Sequence, residues 1–115
     1  ESEFIEQILV TGESRHFPSA LVVPSFRNLK DWCKTKNIDC SSPERVCENA
    51  EVQLLIMSEI NRINERFGHW EQIKKVYLLP HEWAIDTGEL TPNLKLKRKF
   101  IQEKFKKEIE SLYAS

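Results

Sequence analysis

Seven cations crowd into thirteen residues near the end of the chain: Lys95, Lys97, Arg98, Lys99, Lys104, Lys106 and Lys107, opposed there only by Glu103. Positive charge at that density suits an oxyanion, whether phosphate, nucleotide or carboxylate. The plainer reading is a solvated helix face. The placement favours a use, because cations at the start of a helix oppose its dipole and acidic residues would be preferred there. Lys95 stands apart from the others. It follows Thr91-Pro92 at a loop-to-helix junction held by the proline and by a turn at Gly88. A lysine is a compact charge on a long stem and reaches well beyond its own backbone. Such a group can stabilise charge developing on a transferring group.

The remaining reactive side chains point less clearly to chemistry. Cys33, Cys40 and Cys47 are spaced by seven residues, which is neither a CxxC pair nor a zinc set, since His69 and His81 lie far along the chain. Their odd number predicts free thiols in a reducing compartment rather than a disulfide framework. No metal site is expected on this chain. His16, His69 and His81 read as structural or exposed histidines, and Trp83 as packing for a small hairpin.

With 17 basic and 18 acidic residues the net charge is −1, so the basic block is balanced by an acidic body and no whole-molecule field draws the chain to nucleic acid. Aromatics interleaved with the cations would be needed for stacking on bases. Phe100, Phe105 and Tyr113 instead share a stripe with Leu96 and Ile109, where core packing claims them. Nucleic acid is therefore not an expected partner. No apolar run approaches the roughly 20 residues that span a bilayer. No secretory leader is expected. The chain opens on Glu1 rather than Met, which leads us to expect a processed chain or a piece of a longer one.

The elements that must position Lys95 follow from periodicity. The 115 residues, 40% apolar, are enough for one domain with its own core, which is expected to fold alone. Phe4 to Thr11 and Ser19 to Val23 read as an antiparallel hairpin closed by Pro24, with something covering each face. Phe26 to Lys36 fits a short amphipathic helix. A longer helix of about six turns is predicted from Pro43, capped by Ser42 or by a Ser41–Glu44 capping box. Its stripe runs through Val46, Cys47, Ala50, Leu54, Met57, Ile60, Ile63 and Phe67 to Gly68. A third strand is expected over Ile73 to Leu79, two very short strands around Asp86-Thr87-Gly88, and a last helix from Leu94 to Tyr113 packed across the sheet. The sum is an α+β fold, a small sheet with packed helices.

The run Gly88-Glu89-Leu90-Thr91-Pro92-Asn93-Leu94-Lys95-Leu96-Lys97-Arg98-Lys99 closely resembles the C-terminal signature of AMP-forming long-chain fatty-acid–CoA ligases, members of the acyl-CoA synthetase, adenylation-domain and luciferase superfamily. Phe4 to Val10, Phe17 to Pro24, Phe26 to Trp32 and Ile60 to Leu79 are similar to that family too, so the likeness covers essentially the whole chain. It implies that residues 1–115 are a mobile C-terminal lid, cut from a ligase whose large N-terminal ATP- and acyl-binding domain and hinge lie outside this sequence. Lys95 matches the family's catalytic lysine, with Asn93 where Thr or Ser is usual. Gly88, Thr91 and Pro92 are implied to shape the turn. Lys97, Arg98 and Lys99 are implied contacts for coenzyme A or the large domain.

The intact enzyme would use ATP, Mg2+ and coenzyme A to convert a long-chain fatty acid into its acyl-CoA through an acyl-adenylate. The isolated piece is expected to be inactive, with none of these bound. The resemblance implies a cytoplasmic enzyme, with peripheral association at the inner face of a membrane as a further expectation. The alternative from a different class is a stand-alone α+β interaction module without catalysis.

Overall fold

The computed structural model describes residues 2–114. Two strands, β1 (Ile5–Thr11) and β2 (Ser19–Pro24), form the expected antiparallel hairpin, with Leu9 opposite Leu21 and Thr11 opposite Ser19. The loop between them turns at Gly12, whose φ is +122°. The chain then crosses over through α1 (Phe26–Thr35), α2 (Pro43–Glu48) and α3 (Ala50–Asn64) before β3 (Lys75–Leu78) joins β2 in parallel. The sheet order is thus β1-β2-β3, with β2 in the centre.

Period-two alternation along β2 sorts its side chains into two cores. Ala20 and Val22 face a cluster with Leu29, Cys33, Val52, Ile56 and Ile60 from the crossover helices. Leu21 and Val23 face a second cluster with Leu9, Leu79, Trp83, Ile101 and Ile109. Every residue of β2 is buried, as a strand covered on both faces requires. The final helices, α4 (Arg98–Lys104) and α5 (Lys106–Ser111), lie on the second face, so the end of the chain packs across the sheet as expected.

Three elements depart from the sequence reading. The long middle helix is two helices, because Asn49 is extended (φ −73°, ψ 128°) and caps α3 by accepting hydrogen bonds from the backbone N–H groups of Glu51 and Val52. That restart resets the helical phase. Val52, Ile56 and Ile60 turn inward, while Leu54, on the expected stripe, is 71% exposed. At the start of α2 the cap is Ser42, which accepts from Arg45 N at 3.2 Å. The second departure is the last helix, which begins at Arg98 rather than Leu94 and is interrupted at Phe105. Third, no strands flank Asp86-Thr87-Gly88. The short antiparallel bridge instead joins Leu90 to Leu96, on either side of the Lys95 loop.

Asn64 closes the first core. Its side-chain carbonyl accepts from Ile73 N at 2.8 Å and its amide donates to Ile73 O at 2.9 Å, so one buried amide satisfies both backbone groups of the residue leading into β3.

Candidate functional site

Lys95 lies in a five-residue loop held shut by its own backbone. Thr91 N–H donates to Lys95 O at 2.8 Å, Leu94 N–H to Thr91 O at 2.8 Å, and Lys95 N–H to the Thr91 hydroxyl at 3.0 Å. That hydroxyl in turn donates to Asn93 Oδ1 at 3.3 Å, so the asparagine takes part in the turn. Pro92 occupies the turn where its fixed φ costs nothing. Leu94 adopts a left-handed backbone, φ +64°, unusual for a residue with a side chain. Below the loop, the Leu90–Leu96 bridge and a 2.8 Å bond from Lys97 N–H to Glu89 O form a short stem.

The stem stands on a second turn. Gly88 has φ +99°, and the ring of Phe100 from α4 lies against it so closely that an added Cβ would sit 2.6 Å from Phe100 Cζ. Trp83, just upstream, is 2% exposed in the second core. Its backbone is gripped by Gln7 of β1, which accepts from Trp83 N at 2.7 Å and donates to Trp83 O at 3.0 Å. Leu94 and Leu96 form part of an open depression of about 650 Å³ shared with Ile8, Trp83 and the acidic side chains of Glu6, Glu82 and Asp86. The larger groove, about 950 Å³, runs along β3 at the opposite edge of the sheet, and Lys95 does not line it.

The basic block divides into used and unused cations. Arg98 donates to Val10 O and pairs with Glu13. Its guanidinium, helped by the Glu13 backbone and Gln102, holds the Glu13 carboxyl below the usual carboxylate range against a small opposing effect of burial. Lys104 pairs with Glu89 at 2.6 Å. Lys97 places its ammonium 5.4 Å from the centre of the Phe100 ring. Lys95 and Lys99 are exposed, and among the described residues neither forms an ion pair. Lys99 lines a depression with Glu13, Arg15 and Lys106. An exposed ammonium on a tied loop is what a transient anion contact requires: the backbone is placed and the charge is not already neutralised.

A family model for the AMP-binding enzyme C-terminal domain matches residues 1–115. The chain belongs to this family. Its curated relatives include long-chain-fatty-acid–CoA ligase 1 of Cavia porcellus, 33% identical over 117 residues, and of Homo sapiens, 34% identical. Each alignment covers 99% of this chain but 17% of the relative, so the AMP-binding C-terminal domain spans about a sixth of their length. Among solved structures, the adenylation domain of a carboxylate reductase from Mycobacterium chelonae superposes with a TM-score of 0.77 at 20% identity, covering 99% of this chain and 16% of that one. The A-PCP didomain of a carboxylic acid reductase from Segniliparus rugosus, in complex with AMP, gives 0.75 at 19% identity, with 97% and 14% covered. Those likenesses show the fold: a three-stranded sheet with packed helices, as the sequence predicts.

Two residues of the AMP-binding C-terminal domain escaped the sequence reading. Glu89 looks like a surface acid within the signature, yet it is 2% exposed. Burial pushes its carboxyl up, but bonds from Lys104, Thr87, Ala84 N–H and its own backbone outweigh that and hold it below the ordinary range. A lone acid followed by leucine in a turn was the available signal; its partner fifteen residues on was not readable. Gln7 gave no signal, because its target lies 76 residues away.

Cys33, Cys40 and Cys47 are free thiols. Cys47 is pushed up to about 12, by burial first and then by Glu44 and Glu48, which makes it a poor nucleophile. His81 Nε2 lies 3.4 Å from a carboxylate oxygen of Glu44. Among the described residues no three His, Cys, Asp or Glu side chains gather to hold a metal ion. No helix among them is long and apolar enough to cross a membrane.

Proposed function

We propose that this chain is the mobile lid of an AMP-forming long-chain fatty-acid–CoA ligase, and that Lys95 is its catalytic residue for adenylate formation. The carrying observation is the ammonium of Lys95, exposed and without an ion-pair partner among the described residues, on a closed loop within the Gly88–Lys99 signature of a chain about one-third identical to long-chain ligases. The reading requires a large N-terminal domain as the lid's partner, with long-chain fatty acid, ATP and coenzyme A as substrates. Any Mg2+ would take its ligands from other parts of the protein. The intact enzyme would work in the cytoplasm or at the inner face of a membrane, and the 115 residues alone would not turn over.

The chemistry suits the residue. In the first half-reaction a carboxylate oxygen attacks the α-phosphorus, a new P–O bond forms, and the bond to pyrophosphate breaks. Nucleophile and electrophile are both anionic. A lysine between the carboxylate and an α-phosphate oxygen lowers their repulsion and orients the attack. In the second half-reaction the coenzyme A thiol loses its proton, attacks the acyl carbon and expels AMP. Lys95 has no role there and withdraws as the lid turns, a rearrangement of the hinge kind. Lys97 and Lys99 are then free to meet coenzyme A or the large domain, whereas Arg98 is committed to Glu13 and Val10.

The test is Lys95→Ala in the intact protein, with the half-reactions measured apart. Fatty-acid-dependent ATP–pyrophosphate exchange should fall by roughly 100-fold or more, in the range of losing one preorganised electrostatic donor. Thioester formation from supplied acyl-adenylate and coenzyme A should be nearly unchanged. Equal losses in both steps would defeat the assignment.

A further inference from the structure

Lys95 has no side-chain anchor among the described residues, so its ammonium is only as well placed as its loop. The loop is joined to the body of the domain through a two-stranded stem, and the base of that stem is Glu89. One end of this residue is structural in the ordinary sense: its carbonyl accepts Lys97 N–H at 2.8 Å and so ties the two sides of the stem together. The other end is a carboxylate whose side chain is 3% exposed. It receives Lys104 Nζ at 2.6 Å, Ala84 N–H at 3.2 Å and the Thr87 hydroxyl. Lys104 belongs to α4, which is fixed to the second core through Ile101. The supporting turn, the stem and the core helix therefore meet at one buried carboxylate.

We propose that the Glu89–Lys104 pair is a positioning device that holds the Lys95 loop at a fixed angle to the core. A surface ion pair would add little to anything. Here the carboxylate is desolvated and the cation supplies the link to α4, so removing the cation leaves a buried charge that the turn must re-solvate by moving. None of the loop's internal bonds involves Lys104, so the loop can still form. The stem would loosen at its Glu89 base, so its amides would open more often and the loop would be carried to the wrong place.

This inference rests on the reading that Lys95 serves adenylate formation, and the experiment separates the two. In the intact protein, Lys104→Met, Lys104→Arg, Glu89→Gln and Lys95→Ala are compared in both half-reactions, with hydrogen exchange of peptides covering residues 89–97. Lys104→Met and Glu89→Gln should lower kcat of adenylate formation by roughly 10- to 100-fold with KM unchanged, the scale of an ångström-sized misplacement. Thioester formation from supplied acyl-adenylate should stay within about twofold. Lys104→Arg keeps the charge and should recover most of the rate. Exchange over 89–97 should quicken in Lys104→Met while peptides from β2 keep their protection.

Loss of adenylate formation in Lys95→Ala together with a normal rate in Lys104→Met overturns the positioning role and leaves the role of Lys95 intact. Parallel losses in both half-reactions, or unchanged exchange over 89–97, also overturn it, because they mark general destabilisation or an undisturbed stem. A normal adenylation rate in Lys95→Ala overturns the functional reading and this inference with it.

Discussion

Replacing Gly88 with alanine would place a methyl carbon 2.6 Å from Cζ and 2.9 Å from Cε2 of Phe100, at a backbone φ of +99°. Two costs follow, and they can be separated. A side chain at that φ is strained by about 1–2 kcal/mol whatever its neighbours do. The overlap is relieved by swinging the ring away, which is feasible because Phe100 is 41% exposed and the three atoms nearest the added carbon all belong to its ring. Losing the ring's cover over the turn costs about 1 kcal/mol more, the scale of exposing about one methylene group. The sum is about 2–3 kcal/mol, or about 8–12 °C in Tm for a chain of this size.

Urea and thermal denaturation of Gly88→Ala in wild-type and Phe100→Ala backgrounds would measure both parts. Without the ring only the backbone strain remains, so the substitution should cost about 1 kcal/mol less there, a coupling well within reach of a double-mutant cycle. A cost below about 0.5 kcal/mol in the wild-type background, the ordinary range for surface changes, would refute the strain reasoning. Equal costs in the two backgrounds would refute the overlap.

Two further outcomes concern the same unit. Leu94→Gly removes the left-handed strain at φ +64° while giving up a side chain that is 66% exposed, so stability should rise by roughly 0–1 kcal/mol after the unfolded-state freedom of glycine is counted; a loss above about 0.5 kcal/mol on urea unfolding would contradict this. Glu89 is held below its unfolded pKa of about 4.5, so its stabilising effect is complete above that value and drains away as pH falls through the lower, folded value. The advantage of the native chain over Glu89→Gln, followed by urea midpoints from neutral to acid pH, should therefore be flat near neutrality and shrink below about pH 4.5. An advantage that grows on acidification would reverse the sign of the argument.

The legible parts of the fold were those governed by local rules. Gly12 and Pro24 bound the hairpin, Ser42-Pro43 starts α2, and Phe26, Leu29, Trp32 and Cys33 mark α1. The break at Asn49 was not legible, since Cys47 and Ala50 continue an unbroken stripe and the cap appears only once the asparagine side chain is seen to accept two backbone N–H groups. Leu94 to Lys97 read as the first turn of a helix because Leu94 was not expected to take a left-handed conformation. At the candidate site, the signature singled out Lys95, which the structure places exposed on a closed loop. The Glu89–Lys104 pair was hidden because charge pairing between a turn and a helix leaves no period in the sequence.

The two cores on either face of β2 also differ in when they can form. All the residues of the first lie at or before Leu78, whereas the second needs Ile101 and Ile109. The Tyr113 hydroxyl, which donates to Phe17 O at 2.8 Å and lies 2.8 Å from the Ser19 hydroxyl, from which it can accept, binds the hairpin across separations of 96 and 94 residues. On a ribosome adding about 5–20 residues per second, the stretch from Leu79 to Tyr113 takes roughly 2–7 s to appear. Through that interval the crossover helices can already cover one face of the sheet while Leu21 and Val23 wait bare on the other. A nascent domain folding in that order would present the apolar face for seconds before the last helices cover it.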